Sequence, residues 1–168
     1  MKTLLLGMGN PILSDDAVGV RLARYLKEQL GNLPDFTVME ECSVGGLNIL
    51  DIVEGYDRLI VLDSIKGAGG KPGDWYRFGG TDLRETMNLR NVHDTNFATA
   101  LELGRRMGQK IPREEEISIF AVEVEDNLTF SERMTEALEQ RFPEYAREIG
   151  AEVEKIARPP CFVRAESV

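Results

Sequence analysis

The chain reads as an α/β protein: a mostly parallel sheet of five strands with helices on both faces. Three observations predict it. Apolar runs of strand length alternate with segments of helical period. The first run passes through glycines straight into a helix start, and two of the runs are apolar on both faces, as strands inside a parallel sheet must be.

Lys2 to Met8 is the first strand, continuous, apolar and stopped by glycine. Ser14 or Asp15 is placed to cap a helix carrying Val18, Leu22, Ala23, Leu26 and Leu30 at the 3.6-residue period. Lys27 falls in its last turn and Gly31 just past its end. Phe36 to Cys42 is a second strand, and Gly45-Gly46 leads into a short helix with Ile49, Leu50 and Val53 inward. Arg58 to Leu62 is the third strand, ending at Asp63. A glycine-rich loop (Gly67 to Gly73) precedes a short peripheral strand, Asp74 to Phe78. Gly79 to Val92 shows no period, and so long an irregular stretch points to function or disorder. Asp94 or Thr95 can cap a helix bearing Phe97, Ala100, Leu101 and Gly104. Ile117 to Val124 is the last core strand. Thr129-Phe130-Ser131-Glu132 has the capping-box pattern for a final helix, which Pro143 should break or kink. The domain is read as residues 1–157, followed by an extended tail over 158–168.

The 168 residues suit one domain able to bury roughly 70% of its unfolded surface. A net charge of −9 disfavours nucleic acid and anionic membranes, and no apolar run approaches the ~20 residues of a membrane span. With no secretory signal pattern at the N-terminus and no metal-type spacing between Cys42 and Cys161, a cytoplasmic protein with reduced thiols is expected. No apolar stripe is left over once the core is assigned, so a monomer is expected.

Right-handed crossovers place the loops after strands one, three and four on the carboxyl edge, where α/β proteins bind ligands. Asp15, Asp16 and Asp63 emerge there together. The Gly7-Met8-Gly9 turn does not complete a dinucleotide fingerprint: Ile12 stands at the third glycine position, and Asp15-Asp16 lie where pyrophosphate would need positive potential. One aspartate suffices to cap the helix, a role assigned to Asp15, which frees Asp16 for a site. Asp63 ends a wholly apolar strand, where an Asx-turn or a functional acid would both fit. His93, the single histidine, closes the irregular loop. Two carboxylates and an imidazole from separate loops suit a borderline divalent ion such as nickel, zinc, iron or manganese, with positions left open for water or substrate. There is no Gly-x-Ser-x-Gly elbow, and Cys42 reads as a small buried hydrophobe.

Gly7-x-Gly9-Asn10 followed by Asp15-Asp16-Ala17-Val18-Gly19-Val20-Arg21 resembles the opening of the hydrogenase maturation endopeptidases. The resemblance extends through Leu59-Ile60-Val61-Leu62-Asp63 and His93 to about Ile156. It implies a three-layer, phosphorylase/hydrolase-like fold with a twisted five-stranded sheet. It also implies a metal-dependent, aspartic-type endopeptidase that trims the C-terminus of a nickel-iron hydrogenase large-subunit precursor. Asp16, Asp63 and His93 then correspond to the metal-contacting and catalytic residues, and nickel arrives with the precursor rather than as a resident cofactor. Two departures fall near the implied cleft: Cys42-Ser43-Val44-Gly45-Gly46 replaces the family's Gly-Gly-Thr-x-Gly, and Ala121 to Glu125 lacks a proline often found there. Rival readings are a nickel-sensing chaperone of the precursor that does not cut, and a peptidyl-tRNA hydrolase-like enzyme. Gly7 to Pro11 resembles the latter's opening, but its early histidine is missing here.

Overall fold

The computed structural model describes residues 1–42, 46–82 and 92–158, with the backbone alone at 46 and 92–96. Its strands are Thr3–Met8 (β1), Phe36–Cys42 (β2), Arg58–Ile65 (β3), Trp75–Gly79 (β4) and Ile117–Glu123 (β5); its α-helices are Val18–Leu30 (α1), Ile49–Val53 (α2), Val92–Arg106 (α3) and Glu136–Ala157 (α4). The strands make one sheet in the order β2-β1-β3-β5-β4, parallel except for β4, which runs antiparallel to β5 at the edge.

Alternation along the strands divides the core into two layers. Leu5, Ile60, Leu62, Phe120 and Val122 point to one face, where Val18, Leu22 and Leu26 of α1 and Leu138, Tyr145, Ile149 and Val153 of α4 cover them. Leu4, Leu6, Leu59, Val61, Ile117 and Ile119 point to the other, under α2 and under Phe97, Ala100 and Leu101 of α3. β1 is buried at every residue, as the unbroken apolar run predicts. The three-layer α/β expectation is met.

Several boundaries differ from the sequence reading, each for a local reason. β3 does not stop at Asp63 but continues to Ile65, because β5 supplies partners as far as Ile65↔Glu123. The chain after the antiparallel β4 leaves at the amino edge, so the loop following that strand is not on the carboxyl edge. Neither Ser14 nor Asp15 caps α1: a 3₁₀ turn, Ser14–Ala17, leads in, and neither it nor α1 has a side-chain cap. Asp94 and Thr95 lie inside α3, which begins at Val92. Thr129 to Glu132 does not open α4, which starts at Glu136, because Ser131 is taken up in a bridge to Leu13. Gly31 follows α1 in right-handed conformation (φ −62°), and Lys27 turns away to pair with Glu40. α4 runs unbroken through Pro143; burial of Leu138, Tyr145, Ile149 and Val153 on both sides of it offsets the lost backbone bond. The tail beyond Arg158, with Cys161, and most of the irregular stretch lie outside the described residues. Cys42 is buried, as expected of a small hydrophobe.

Helix α1 lies unusually close to the sheet. A Cβ on Gly19 would stand 2.3 Å from the Met8 carbonyl oxygen and 2.4 Å from that of Leu62, and one on Gly7 would stand 2.6 Å from the Ala23 Cβ. Because the obstacles are backbone, Gly19→Ala must lift the helix. Urea unfolding should show a loss of roughly 2–3 kcal/mol, read as a lower midpoint at unchanged slope.

Candidate functional site

The close approach of α1 brings the loop after β1 against the end of β3. Gly9 leaves β1 at φ +124°, and a side chain there would meet the Asp16 carbonyl oxygen at 2.0 Å. Only glycine lets the chain fold back on itself at this point. The Asn10 amide then donates to Asp16 Oδ2 (2.8 Å), and the Ser64 hydroxyl donates to Asp16 Oδ1 (2.9 Å). The amide of the same Ser64 donates to Asp63 Oδ1 (2.7 Å). One residue of β3 therefore bonds to both carboxylates: its hydroxyl ties the turn carrying Asp16 to β3, and its amide holds the side chain of Asp63 beside it. The Asn10 and Ser64 bonds use about half of the acceptor positions of the Asp16 carboxylate, which is only partly buried.

His93 is the second residue of α3. That helix hands over to β5 at the sheet's amino edge, so its first turn lies toward the carboxyl edge, on the side of Asp16 and Asp63. The His93 side chain is outside the described residues. Among the described residues no three His, Cys, Asp or Glu side chains converge in a metal-holding group.

Asp15 does something the sequence did not announce. Fully buried, it accepts the amides of Glu125 (3.0 Å), Asp126 (2.9 Å) and Thr135 (2.6 Å) and the Thr135 hydroxyl (3.0 Å). It ties the loop after β5 to the loop after β1 and leaves its own helix uncapped. Arg21, also part of the opening motif, pairs with Glu139 and lies 4.8 Å over the Phe142 ring, clamping α1 to α4.

Glu123 and Ser64 escaped the sequence reading. Buried Glu123 accepts the amides of Gly67 (2.6 Å) and Ala68 (3.1 Å) and the Tyr76 hydroxyl (3.4 Å), fixing the loop that follows β3. Burial first, then the Glu123 charge, pushes the Tyr76 hydroxyl above its ordinary pKa. A charged residue near the carboxyl end of an apolar strand was the available signal for Glu123, the one that singled out Asp63. Nothing distinguishes Ser64 in sequence. Where the proline is missing, the Glu123 and Val124 amides donate to Asp74 and Ile65, bonds proline cannot make.

These features define a three-layer α/β protein with Asp16 and Asp63 toward its carboxyl edge. A family model, HycI hydrogenase maturation protease, matches residues 20–152, and the chain belongs to that family. It is 37% identical over 73 residues to the hydrogenase 2 maturation protease of Escherichia coli (strain K12), covering 44% of each chain. To the hydrogenase expression/formation protein HupD of Rhodobacter capsulatus it is 28% identical over 127 residues, 74% of this chain and 60% of that protein. The chain thus spans about half the length of the curated relatives it matches. The solved structure of the hydrogenase maturating endopeptidase HybD from E. coli superposes with a TM-score of 0.74 at 25% identity, covering 92% of this chain and 93% of that one. The hydrogenase maturation protease HybD from Thermococcus kodakarensis shares the fold at TM-score 0.71 and 20% identity, over 94% and 100% of the two chains. No described helix is long and apolar enough to cross a membrane.

Asp15→Asn sets an amide group against amide donors and should cost about 3 kcal/mol in denaturant unfolding, with protease nicking concentrated in residues 125–135. The Asp126 carboxyl lies below the usual aspartate range, held first by the Thr129 side chain and then by the Leu128 and Thr129 amides. Since the folded pKa is depressed, this support is present above the unfolded value and is lost as pH falls through the folded one. The Leu128 and Thr129 amide proton shifts should titrate with a midpoint below the ~3.9 of a free aspartate. A midpoint at or above that value would contradict the assignment.

Proposed function

We propose that this protein is a cytoplasmic endopeptidase that removes a C-terminal peptide from the nickel-loaded precursor of a nickel-iron hydrogenase large subunit. The observation that carries the reading is the bond from Ser64, next to Asp63 on β3, to the partly exposed Asp16, in a chain of this family. Nickel is part of the substrate. Asp16, Asp63 and His93 contact it, a donor set of two oxygens and one nitrogen suited to a borderline divalent ion. A water polarised by the carboxylates attacks the scissile carbonyl carbon; the carbon–nitrogen bond breaks, and the proton passes to the leaving amine. Partial exposure of Asp16 supports this division of labour, since the fully buried Asp15 beside it already accepts three backbone amides and the Thr135 hydroxyl.

The test is to incubate the protein with nickel-loaded and nickel-free precursor and follow peptide release by mass spectrometry. Release from the loaded form only is expected. Asp16→Asn, Asp63→Asn and His93→Ala should each slow release by a hundredfold or more, on the order of what general acid–base groups supply. For the partly exposed Asp16, the melting temperature should move by no more than about 4 °C, the effect of roughly 1 kcal/mol in a domain this size. No release from the loaded precursor sinks the protease; normal release by any of the three variants removes that residue from the site.

A further inference from the structure

The loop after β5 exposes large apolar side chains that nothing in the fold requires to be outside. Leu128 is 77% and Phe130 81% exposed, the highest values among the large hydrophobic residues described, and Ile12 is 47% exposed. The sequence reading left no apolar stripe over once the core was assigned, and these three side chains are exposed outside that core. The three sit on two loops bonded to each other: Ser131 donates from its amide to the Ile12 carbonyl (3.0 Å), Ser14 donates back to the Ser131 carbonyl (2.9 Å), and Leu13 and Ser131 form a parallel bridge. The loop is firmly built, since Asp126 Oδ1 accepts the Leu128 and Thr129 amides (3.0 Å each) and Asp15 holds the Glu125 and Asp126 amides. Exposure is thus imposed by a fixed turn, the condition in which an apolar patch marks a partner. The patch is continuous with the candidate site, because the turn displaying Ile12 begins at Asn10, whose amide holds Asp16.

Charge selects the partner. Exposed Glu125, Glu132 and Glu136 and the half-buried Asp126 flank the patch, with Arg133 the single basic residue between 125 and 136. A second copy of a chain of net charge −9 would set one acidic rim against another. An apolar segment with Lys or Arg beside it meets both features. We propose that Ile12, Leu128 and Phe130 seat an extended apolar, basic-flanked segment of the precursor and so deliver its scissile bond to Asp16 and Asp63. This rests on the protease reading and names the surface through which that reading recognises its substrate.

The full-length Leu128→Ser/Phe130→Ser variant tests it, with calorimetric binding to the nickel-loaded precursor and peptide release measured side by side. Exposed positions carry little stability, so the melting temperature should stay that of the wild type. Kd and KM should both rise about tenfold or more, Phe130→Leu should restore most of the binding, and wild-type Kd should weaken as salt screens the acidic rim. Wild-type affinity in the double variant overturns the proposal and leaves the protease standing. Binding by the wild type that the double variant loses, without peptide release by the wild type, keeps the seat and removes the protease. Failure of the wild type to bind the precursor overturns both. Sedimentation showing a wild-type dimer that the double variant dissociates assigns the patch to self-association and overturns the proposal.

Discussion

Everything at the carboxyl edge depends on how closely α1 lies against β1 and β3. Gly19 stands where any side chain would strike the Met8 and Leu62 carbonyls, and Gly7 clears the space for Ala23. Met8 ends β1 and Leu62 precedes Asp63 and Ser64 in β3, so the contact does more than close the core. It sets the 3₁₀ turn carrying Asp16 at the height of Ser64, within reach of a single hydroxyl. A helix at ordinary packing distance would leave the turn carrying Asp16 with nothing to register it against β3.

Neighbouring aspartates have been given opposite tasks by the same turn. Asp15 points inward and accepts four donors from residues 125–135, while Asp16 points to the edge and is held by two. In sequence they differ only in position, which assigned the helix cap to Asp15 and the site to Asp16. The structure uses neither as a cap. With its buried donors supplied by the distant loop, Asp15 makes the geometry of that loop part of the geometry of Asp16. Ser14, at φ +47°, takes up the backbone conformation this sharing requires.

The sheet was legible because parallel strands are apolar on both faces and helices are not, a contrast that survives without any contact information. Leu4-Leu5-Leu6 and Leu59-Ile60-Val61-Leu62 leave no other reading. Boundaries were harder wherever a polar side chain had more than one possible partner. Asp63 and Ser64 look like the end of a strand, yet both are buried within β3 and bonded there. Thr129 and Glu132 fit a capping box, yet pairing between Ile12 and Ser131 claims that stretch first. Asp16 and Asp63 could be picked out by position alone. Ser64 could not, because its role exists only once β3 and the 3₁₀ turn are side by side.

One habit of construction recurs along this edge: its loops are held by carboxylates accepting backbone amides. Asp15 and Asp126 organise the loop after β5, and Glu123 organises the loop after β3. Arginine shares the task at two points, pairing Arg141 with Asp74 in the loop after β3 and Arg21 with Glu139 between the first turns of α1 and α4. The carboxylates that hold backbone amides, Asp15, Asp126 and Glu123, nonetheless add negative charge to the edge that carries Asp16 and Asp63. Such a field attracts cations from solution and resists a second acidic chain. The net charge of −9, which at first only excluded nucleic acid, is in this sense a property of the site as much as of the surface.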